Sequence, residues 1–576
     1  MRYLALASDY DGTLAWHGQV ATETLSSLER VLTSGRKLIL VTGRELEDLL
    51  TVFPHASLFD KIVAENGALV YTPATREQKP LCDPPPEVFI RALQERQITP
   101  LSVGRVIVST WHPNEATVLE VIRDLGLELQ VVFNKGAVMV LPSGINKAAG
   151  LKAALKDLKL SPHNVVGIGD AENDHAFMEL CEASAAVANA LPMVKEGADL
   201  VTAEDHGAGV SELVQRLVDN DLRDIEDRLA HQRILLGTRN SGQEVSVSPY
   251  GVNVLLAGTS GSGKSTLAAG FLERLSEKDY QFCIIDPEGD YETFEGAVIL
   301  GTRQRAPTVA EVLQLLESPE NNAVVNLLGL PLDDRPSFFS ELFPSLGELR
   351  VRTGRPHWLV IDEAHHLLPT SWNPAPLTLS QELYGLMLIT VHPDQVTPAI
   401  LSSVDVVVAV GESPDATLAS FAGALGQEAP AEKPVTLNTG EALVWLRRTG
   451  DSPFTMEVVP SQGDRRRHQR KYAEGDLGPD KSFYFRGPEE QLNLRAQNLM
   501  LFLQIADGVD DVTWMHHLRQ RDYSRWFREA IKDDTLASEA SRVEEQPGVS
   551  PTESRSLIRT AIEQRYTLPE SPPAPA

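Results

Sequence analysis

The sequence predicts an α/β protein made of two consecutive parallel-sheet domains and a smaller, mainly helical one. Three observations carry that expectation. Short apolar runs end in polar residues and are each followed by a helix-like stretch, as in KLILVTGR and then ELEDLLTVF; this is the pattern of a parallel sheet with crossover helices. The pattern occurs twice, over about 1–220 and about 233–460, with a charged, helical stretch at 212–232 between. The length, 576 residues, is too great for one core and points to about three or four domains.

In chain order, YLALASDYDG, KLILVTGR and NVVGIGD read as strands of a first domain over 1–215. Within it, about 73–145 changes pattern. RVIVSTWHPNEATVLEVIRDLGLELQVVFNKGAVMVLPSG reads strand, helix, strand, strand, an α+β insertion. A helical linker is expected at 216–232. The second domain, 233–460, has strand candidates VNVLLAG, QFCIIDPEG, AVVNLLGL, HWLVIDEA, GLMLITVHP and VDVVVAVGE. Residues 461–545 open with the basic run DRRRHQRKY (464–472) and continue as a mainly helical, aromatic-rich domain. Residues 546–576 read as a short helix and a Pro-rich, disordered end, LPESPPAPA.

Hydrophobic content of 42% and charged content of 23% describe a globular protein rather than a disordered one. A formal net charge of −28 repels polyanions at long range, so it argues against broad nucleic-acid binding while leaving room for a local basic groove. Cys82, Cys181 and Cys283 are far apart and form no CxxC, which disfavours a disulfide framework or zinc site and fits a reducing compartment. Asp9 and Asp11 interrupt any apolar signal region, and no apolar run is long enough to span a bilayer. The expectation is a cytoplasmic protein with no membrane partner.

Asp9 and Asp11 follow the first strand in DYDGTL. Two carboxylates so close repel each other unless a cation sits between them, and Mg²⁺ fits that place while also drawing in a phosphate. One carboxylate can then attack phosphorus while the other handles the proton. Alone, DxDG equally fits a calcium loop or a polar turn. Thr42 at the next strand end, Lys147 at a helix start, and Asp170 and Asp174 at a fourth strand end supply what a metal-assisted phosphoryl-transfer site needs.

With VAENGALVY (63–71) and the stretch from PSGINKAAG to AVANALPMVKEGADLVT (142–202), residues 1–215 resemble the haloacid dehalogenase (HAD) superfamily, specifically the Cof-type phosphatases with a C2 cap. That resemblance implies a Rossmann-like domain with an α+β cap at about 73–145. It implies that Asp9 is the nucleophile forming an aspartyl-phosphate and that Asp11 is the general acid/base. Thr42 and Lys147 would hold the phosphoryl group. Asp170 would bind Mg²⁺ together with Asp9 and the backbone of Asp11, supported by Asp174. Relatives act on phosphoglycolate and sugar phosphates, so a small phosphorylated metabolite is the implied substrate. Arg105, Trp111 and Lys135 are cap residues that bear on its choice.

GTSGSGKS (258–265) fits GxxxxGK[ST], follows the apolar strand NVLLA and opens the helix STLAAGFLERL. Gly258, Thr259, Ser260, Gly261, Ser262, Gly263, Lys264, Ser265 and Thr266 are therefore the candidate ATP-binding residues. The backbone N–H groups and the helix N-terminus face the phosphates. Lys264 reaches the β/γ-phosphates and Ser265 binds Mg²⁺. In HWLVIDEAHHLLP (357–369), Asp362 is placed to hold Mg²⁺ and Glu363 to polarise water, which favours hydrolysis over kinase chemistry. Thr390 and His392 end the strand GLMLITVHP as candidate γ-phosphate sensors. This region, 233–450, resembles ATPases with an additional strand and a catalytic glutamate. Within them it is most similar to the HerA/FtsK-like group, whose D-x-x-G-[ED]-Y pattern stands here as DPEGDY, Asp286 to Tyr291. HerA-like motors usually carry a β-barrel ahead of the ATPase; here a HAD-like domain takes that place.

Arg350, Arg352 and Arg355 read as solvated surface charges, with an arginine finger across a subunit interface as the alternative. RRRHQRK reads as a solvated linker or an anion-binding run. Trp514, His517, Tyr523 and Trp526 read as packing, or else as a partner- or nucleic-acid-binding module. The adjacent His516 and His517 are poorly spaced for one metal. The combined expectation is an Mg²⁺-dependent phosphatase fused to an ATP-binding P-loop ATPase, with homo-oligomerisation through the ATPase domain and nucleic-acid binding left open. The alternatives are a HerA-like DNA motor with an accessory phosphatase, a polynucleotide kinase/phosphatase-like repair enzyme, and an ATP-switched interaction protein.

Overall fold

The structure, a computed structural model, describes residues 1–134, 136–229, 232–259, 262–371, 384–430, 434–448, 450–461, 482–489, 491–531 and 533–566. Lys135, Ser260, Gly261, the basic run 464–472 and the Pro-rich end 568–576 lie outside the described residues. Contacts group the chain into two compact units, Met1–Lys264 with Arg274–Val458, and Ser265–Glu273 with Val459–Ala576.

The first sheet contains β1 (Ala5–Ser8), β2 (Lys37–Val41), β3 (Lys61–Ala64), β4 (Leu69–Thr72) and β5 (Glu77–Pro80). The cap follows, with β6 (Ser102–Val103), β7 (Val108–Trp111), β8 (Leu129–Asn134) and β9 (Ala137–Pro142). The chain then returns to the first sheet as β10 (Val165–Gly169), β11 (Ala183–Ala186) and β12 (Leu200–Val201). The order is β12-β11-β10-β1-β2-β3-β4-β5, parallel except for the antiparallel pairs β3–β4 and β4–β5. Its central strands are buried on both faces, which is why they read as continuous apolar runs. The cap sheet runs β6-β7-β9-β8 and buries Phe89, Leu93, Val118, Val121, Val138 and Val140 in a core of its own. β5 belongs to the main sheet, so the cap begins after residue 80 rather than at 73.

The helix His206–Asn220 closes the first domain on its own core through Val210, Leu213 and Leu217. The stretch 216–232 is thus only partly a connector. The helix ends at Asp221 in a left-handed conformation, and a 3-10 turn at Arg223–Arg228 follows.

The second sheet is built from β13 (Ile234–Arg239), β14 (Glu244–Val247), β15 (Val254–Gly258), β16 (Phe282–Asp286), β17 (Val298–Leu300), β18 (Ala323–Asn326), β19 (Trp358–Ile361), β20 (Leu386–Thr390), β21 (Val406–Val410), β22 (Glu441–Leu446) and β23 (Phe454–Val458). Its order is β14-β13-β23-β22-β21-β15-β20-β19-β16-β18-β17. The run from β21 to β17 is parallel. β20 lies between β15 and β19, which is the additional strand expected of the ATPases named above.

The second unit holds a two-stranded pair, β24 (Phe483–Phe485) and β25 (Leu494–Ala496), and five helices among its described residues after 458. Its core is aromatic: Phe485, Phe502, Trp514, Tyr523 and Phe527 are buried together, and Trp514 stacks on Tyr523 at 4.5 Å between ring centroids. His517 uses both ring nitrogens, one 2.7 Å from Asp522 Oδ2 and the other accepting the Arg486 backbone N–H at 3.1 Å. These contacts support the packing reading of this segment.

Candidate active site

The polar residues of the first domain gather at the carboxyl ends of its parallel strands, where such sheets bind ligands. Asp9 follows β1, Thr42 follows β2, and Asp170 and Asp174 follow β10. Lys147 opens the helix Lys147–Leu158, whose N-terminus is capped by the Asn146 side chain accepting the Ala149 N–H. That helix start presses so closely on the turn Glu65–Gly67 that a Cβ at Gly67 would lie 1.9 Å from Asn146 O. Gly67, at φ +100°, is therefore required there.

Lys147 Nζ donates to Asp9 Oδ1 at 2.6 Å and to Asp174 Oδ1 at 2.5 Å, and all three side chains are buried. Asp174 Oδ2 accepts the backbone N–H groups of Asp170 and Ala171, each at 2.9 Å. Asp170 accepts from Thr13 Oγ1 at 3.2 Å. Burial, then the charge of Asp174, holds the Asp9 carboxyl well above the usual range. Burial alone would lower Lys147, but Asp174 and Asp9 carry it upward.

Asp9, Asp170 and Asp174 each offer an oxygen within 4.8 Å of the others. Three buried carboxylates thus face one buried cation, and the uncompensated charge with its all-oxygen donors fits a divalent cation such as Mg²⁺. Asp174 has both oxygens engaged and holds Lys147 and the loop. Thr42 is fully buried, and its hydroxyl accepts the Arg44 N–H at 3.1 Å.

The Asp11 side chain is paired with Arg44. Arg44 grips it in a fork, Nε to Oδ2 at 2.6 Å and Nη2 to Oδ1 at 2.8 Å, a geometry only arginine supplies. Gly12 O accepts from Asn189 Nδ2 at 2.8 Å and lies 2.8 Å from His206 Nδ1. A cleft of about 560 Å³ opens here, lined in part by Asp11, Trp16, Arg44, Asp170, Asn189 and His206. Trp16 is 58% exposed and its ring lies 4.3 Å from His206. Glu65, fully buried, ties the cap to the core by accepting the N–H groups of Arg105, Val106 and Ile107 at 3.0, 2.7 and 3.0 Å. The Arg105 guanidinium is 3.5 Å from Glu47, and Trp111 is exposed on β7. Arg44, Glu65, Asn189 and His206 were not candidates from sequence. Arg44 carried a signal all the same, directly after Thr42–Gly43.

In the second domain, β15 leads into the loop, and Lys264, Ser265 and Thr266 form the first turn of the helix Lys264–Glu277. Gly258 and Gly263 have φ +153° and +96°, and a Cβ at Gly258 would lie 2.2 Å from Val410 O on β21. Ser262 N donates to Thr259 O at 3.3 Å. Lys264 Nζ donates to Gly258 O and Thr259 O, each at 2.9 Å, and burial lowers its pKa. Asp362 ends β19, buried, and accepts the Glu363 N–H at 3.0 Å. Burial, and then the charge of Glu363, raises it well above the usual range. Glu363 stands in the left-handed region at φ 43°, an uncommon state for a residue with a side chain, and one that clusters at functional sites. Asp286 explains the DPEGDY pattern: its carboxylate accepts the N–H groups of Gly289, Asp290 and Tyr291 at 2.8, 3.1 and 2.9 Å. It shapes the turn. Thr390, fully buried, ends β20 beside His365 and His392.

The arginines need correction. Arg355 is fully buried rather than solvated. It donates to Gln281 Oε1, Leu316 O, Lys159 O and Glu317 O. Arg350 is spent on the carbonyls of Pro356, His357, Tyr384 and Gly385. Only Arg352 is exposed, 3.7 Å from Glu317. Arg355 instead belongs to a polar junction between the two sheets. Glu182, fully buried, meets Arg2, His163 (2.6 Å) and Tyr280 (2.7 Å). Tyr280 stacks on His163 at 3.7 Å, and Tyr250 OH, which donates to Gly354 O, accepts from Asn164. Arg2, Asn164 and Glu182 precede β1, β10 and β11; Tyr250, Tyr280 and Arg355 precede β15, β16 and β19. The sheets therefore meet by their amino ends, and both candidate sites lie at the far, carboxyl ends. An arginine in this junction is on the wrong side of its sheet to act as a finger toward the loop it follows in sequence.

A family model described as haloacid dehalogenase-like hydrolase matches residues 6–104 and 112–214. A second, described as Helicase HerA, central domain, matches residues 252–344. A phosphoglycolate phosphatase of Methanothermobacter thermautotrophicus is 30% identical over 223 residues, covering 37% of this chain and 98% of that protein. Phosphoglycolate phosphatase 2 of Saccharolobus solfataricus is 28% identical over 226 residues, covering 38% of this chain and 94% of that protein. A solved haloacid dehalogenase-like hydrolase from Bacteroides thetaiotaomicron aligns over 37% of this chain and 99% of its own at 19% identity, with a TM-score of 0.34.

Proposed function

The chain belongs to the haloacid dehalogenase-like hydrolases, as a phosphoric monoester hydrolase with a HerA-type domain behind it, and on that premise we propose that it hydrolyses a small phosphate monoester of the phosphoglycolate or sugar-phosphate type through Asp9. The observation that carries this reading is the buried Asp9–Lys147–Asp174 group with Asp170, at strand ends beside the cleft. Asp9 attacks phosphorus as the ester P–O bond breaks, and Asp11 gives the leaving oxygen its proton. Asp11 then takes a proton from water, which attacks the aspartyl-phosphate, frees inorganic phosphate and restores Asp9. Lys147 and Thr42 hold the phosphoryl oxygens. Asp11 must leave the Arg44 fork to do its part. Asp9, Asp170 and the Asp11 backbone would hold Mg²⁺, which when bound neutralises phosphate charge. A screen of phosphoglycolate, sugar phosphates and nucleotides with the full chain, against Asp9→Asn, tests the reading; equal phosphate release by both would end it.

The P-loop domain on this reading binds and hydrolyses ATP, with Lys264 on the phosphates, Ser265 and Asp362 at Mg²⁺ and Glu363 orienting water. A second reading, that nucleotide state modulates the phosphatase, is favoured by the buried junction that ties the two sheets together. ATP and a non-hydrolysable analogue should then alter phosphatase kcat or KM. Unchanged kinetics with both ligands, and in Lys264→Ala, would remove it.

A further inference from the structure

His365 sits between two groups that an ATP-hydrolysing site has to coordinate. Its Nδ1 is 3.1 Å from Thr390 Oγ1 and 3.4 Å from Glu363 Oε2. Only the contact with Thr390 is a hydrogen bond. Glu363 Oε2 is buried with no hydrogen-bond partner among the described residues. Thr390 ends β20, the strand between the loop strand β15 and β19, and Glu363 lies two residues past the end of β19. Thr390 Oγ1 also accepts the His392 N–H at 3.0 Å, which leaves its one proton to donate elsewhere.

Burial, with His366 and His392 nearby, lowers the His365 pKa to about 4. The ring is thus neutral near neutral pH, with one nitrogen a donor and the other an acceptor. Two arrangements are open to it. In the first, the ring proton is on Nε2, Thr390 donates to Nδ1, and Glu363 receives nothing from the ring. In the second, the proton is on Nδ1 and is donated to Glu363, while the Thr390 hydroxyl donates to another acceptor. A phosphate oxygen at Thr390 is such an acceptor, and it selects the second arrangement.

We propose that His365 is a positioning residue that couples phosphate contact at Thr390 to the orientation of Glu363, so that the glutamate is held for water activation only when a γ-phosphate is present. The proposal rests on the ATP-hydrolysing reading of the P-loop domain. Steady-state ATP turnover and ATP affinity of the full chain test it. His365→Ala should lower kcat about 30-fold or more with KM and affinity for a non-hydrolysable ATP analogue within about threefold. His365→Asn, whose amide reaches the Nδ1 position, should recover most of that loss, and His365→Gln, whose amide lies one bond farther, should not. Thr390→Val should lower kcat similarly, and the double variant His365→Ala/Thr390→Val should fall no further than either alone, because one pathway is being cut twice. Retained analogue affinity shows that each variant is folded. Lys264-dependent turnover that His365→Ala leaves within about threefold of wild type, or single losses that multiply in the double variant, would overturn the coupling alone. Absence of Lys264-dependent turnover in the wild-type chain would overturn the hydrolytic reading and the coupling with it.

Discussion

At the Asp9 end, the cation of the site, Lys147, already spans two carboxylates at 2.6 and 2.5 Å. At the Lys264 end, the cation is folded onto carbonyls of its own loop at 2.9 Å. The first site is assembled from separate strand ends and keeps its charges buried together. The second holds its lysine on its own loop, with Glu363 Oε2 lacking a hydrogen bond among the described residues. The first site pairs its lysine with carboxylates inside the fold, and the second pairs its lysine with loop carbonyls.

That contrast can be broken at several points. Asp9→Asn should reduce phosphate-ester cleavage about 10⁴-fold or more, since on the proposed reading Asp9 is the group that accepts the phosphoryl group, as read by phosphate release. Chelation by EDTA should stop the same activity, and added Mg²⁺ should restore it. Next in size, Lys147→Ala leaves a buried carboxylate group without its cation, and the cost is about 3–5 kcal/mol of stability. Lys264→Ala cuts the contacts to the carbonyls of Gly258 and Thr259, so denaturant unfolding should show a loss of about 1 kcal/mol while nucleotide binding disappears. Equal destabilisation by the two would refute the contrast. Arg44→Lys should raise phosphatase kcat about threefold, because an ammonium cannot reproduce the fork that Asp11 has to leave; a pH–rate profile of the variant checks it.

The smallest effect is expected at the junction. Burial, and then His163, holds His357 well below the usual histidine value of 6.5. Between its folded and unfolded pKa the unfolded chain binds the extra proton, so stability falls as pH drops below 6.5. Glu182 adds to this lower down. Burial alone would raise it, but Arg2 and His163 hold it below 4.5, and its contribution fades as pH falls through that lowered value. The melting temperature should decline by about 1–2 °C between pH 7 and 5.5, and His357→Gln should flatten that slope. An unchanged slope in the variant would assign the acid sensitivity elsewhere.

The two loops were legible in the sequence because each site announces itself in a contiguous stretch. DYDGTL and GTSGSGKS carry turn glycines and charged side chains at fixed offsets, and both follow apolar strands that the sheet buries. The alternation of strands and helices was legible for the same reason. Arg44, Glu65, Asn189 and His206 were not, because they reach Asp11, the cap loop and Gly12 across 33 to 194 residues of chain, and no spacing encodes that. The junction was hidden by the same distance. Arg355 looked like a surface charge beside Arg350 and Arg352, but it bonds Lys159 O of the first domain, 196 residues away, as well as Gln281, Leu316 and Glu317. The cap boundary was misjudged because Glu77–Pro80 is polar yet completes a hairpin on the main sheet.

The central claim is that ester cleavage runs through Asp9 and owes nothing to Glu363 at the other end. Phosphate release from phosphoglycolate and sugar phosphates by the full chain, compared with Asp9→Asn and Glu363→Gln, tests it most directly. The account predicts that Asp9→Asn is inactive toward every ester the wild type cleaves and that Glu363→Gln cleaves them at the wild-type rate. Ester cleavage that survives Asp9→Asn, or that is lost in Glu363→Gln, would contradict it.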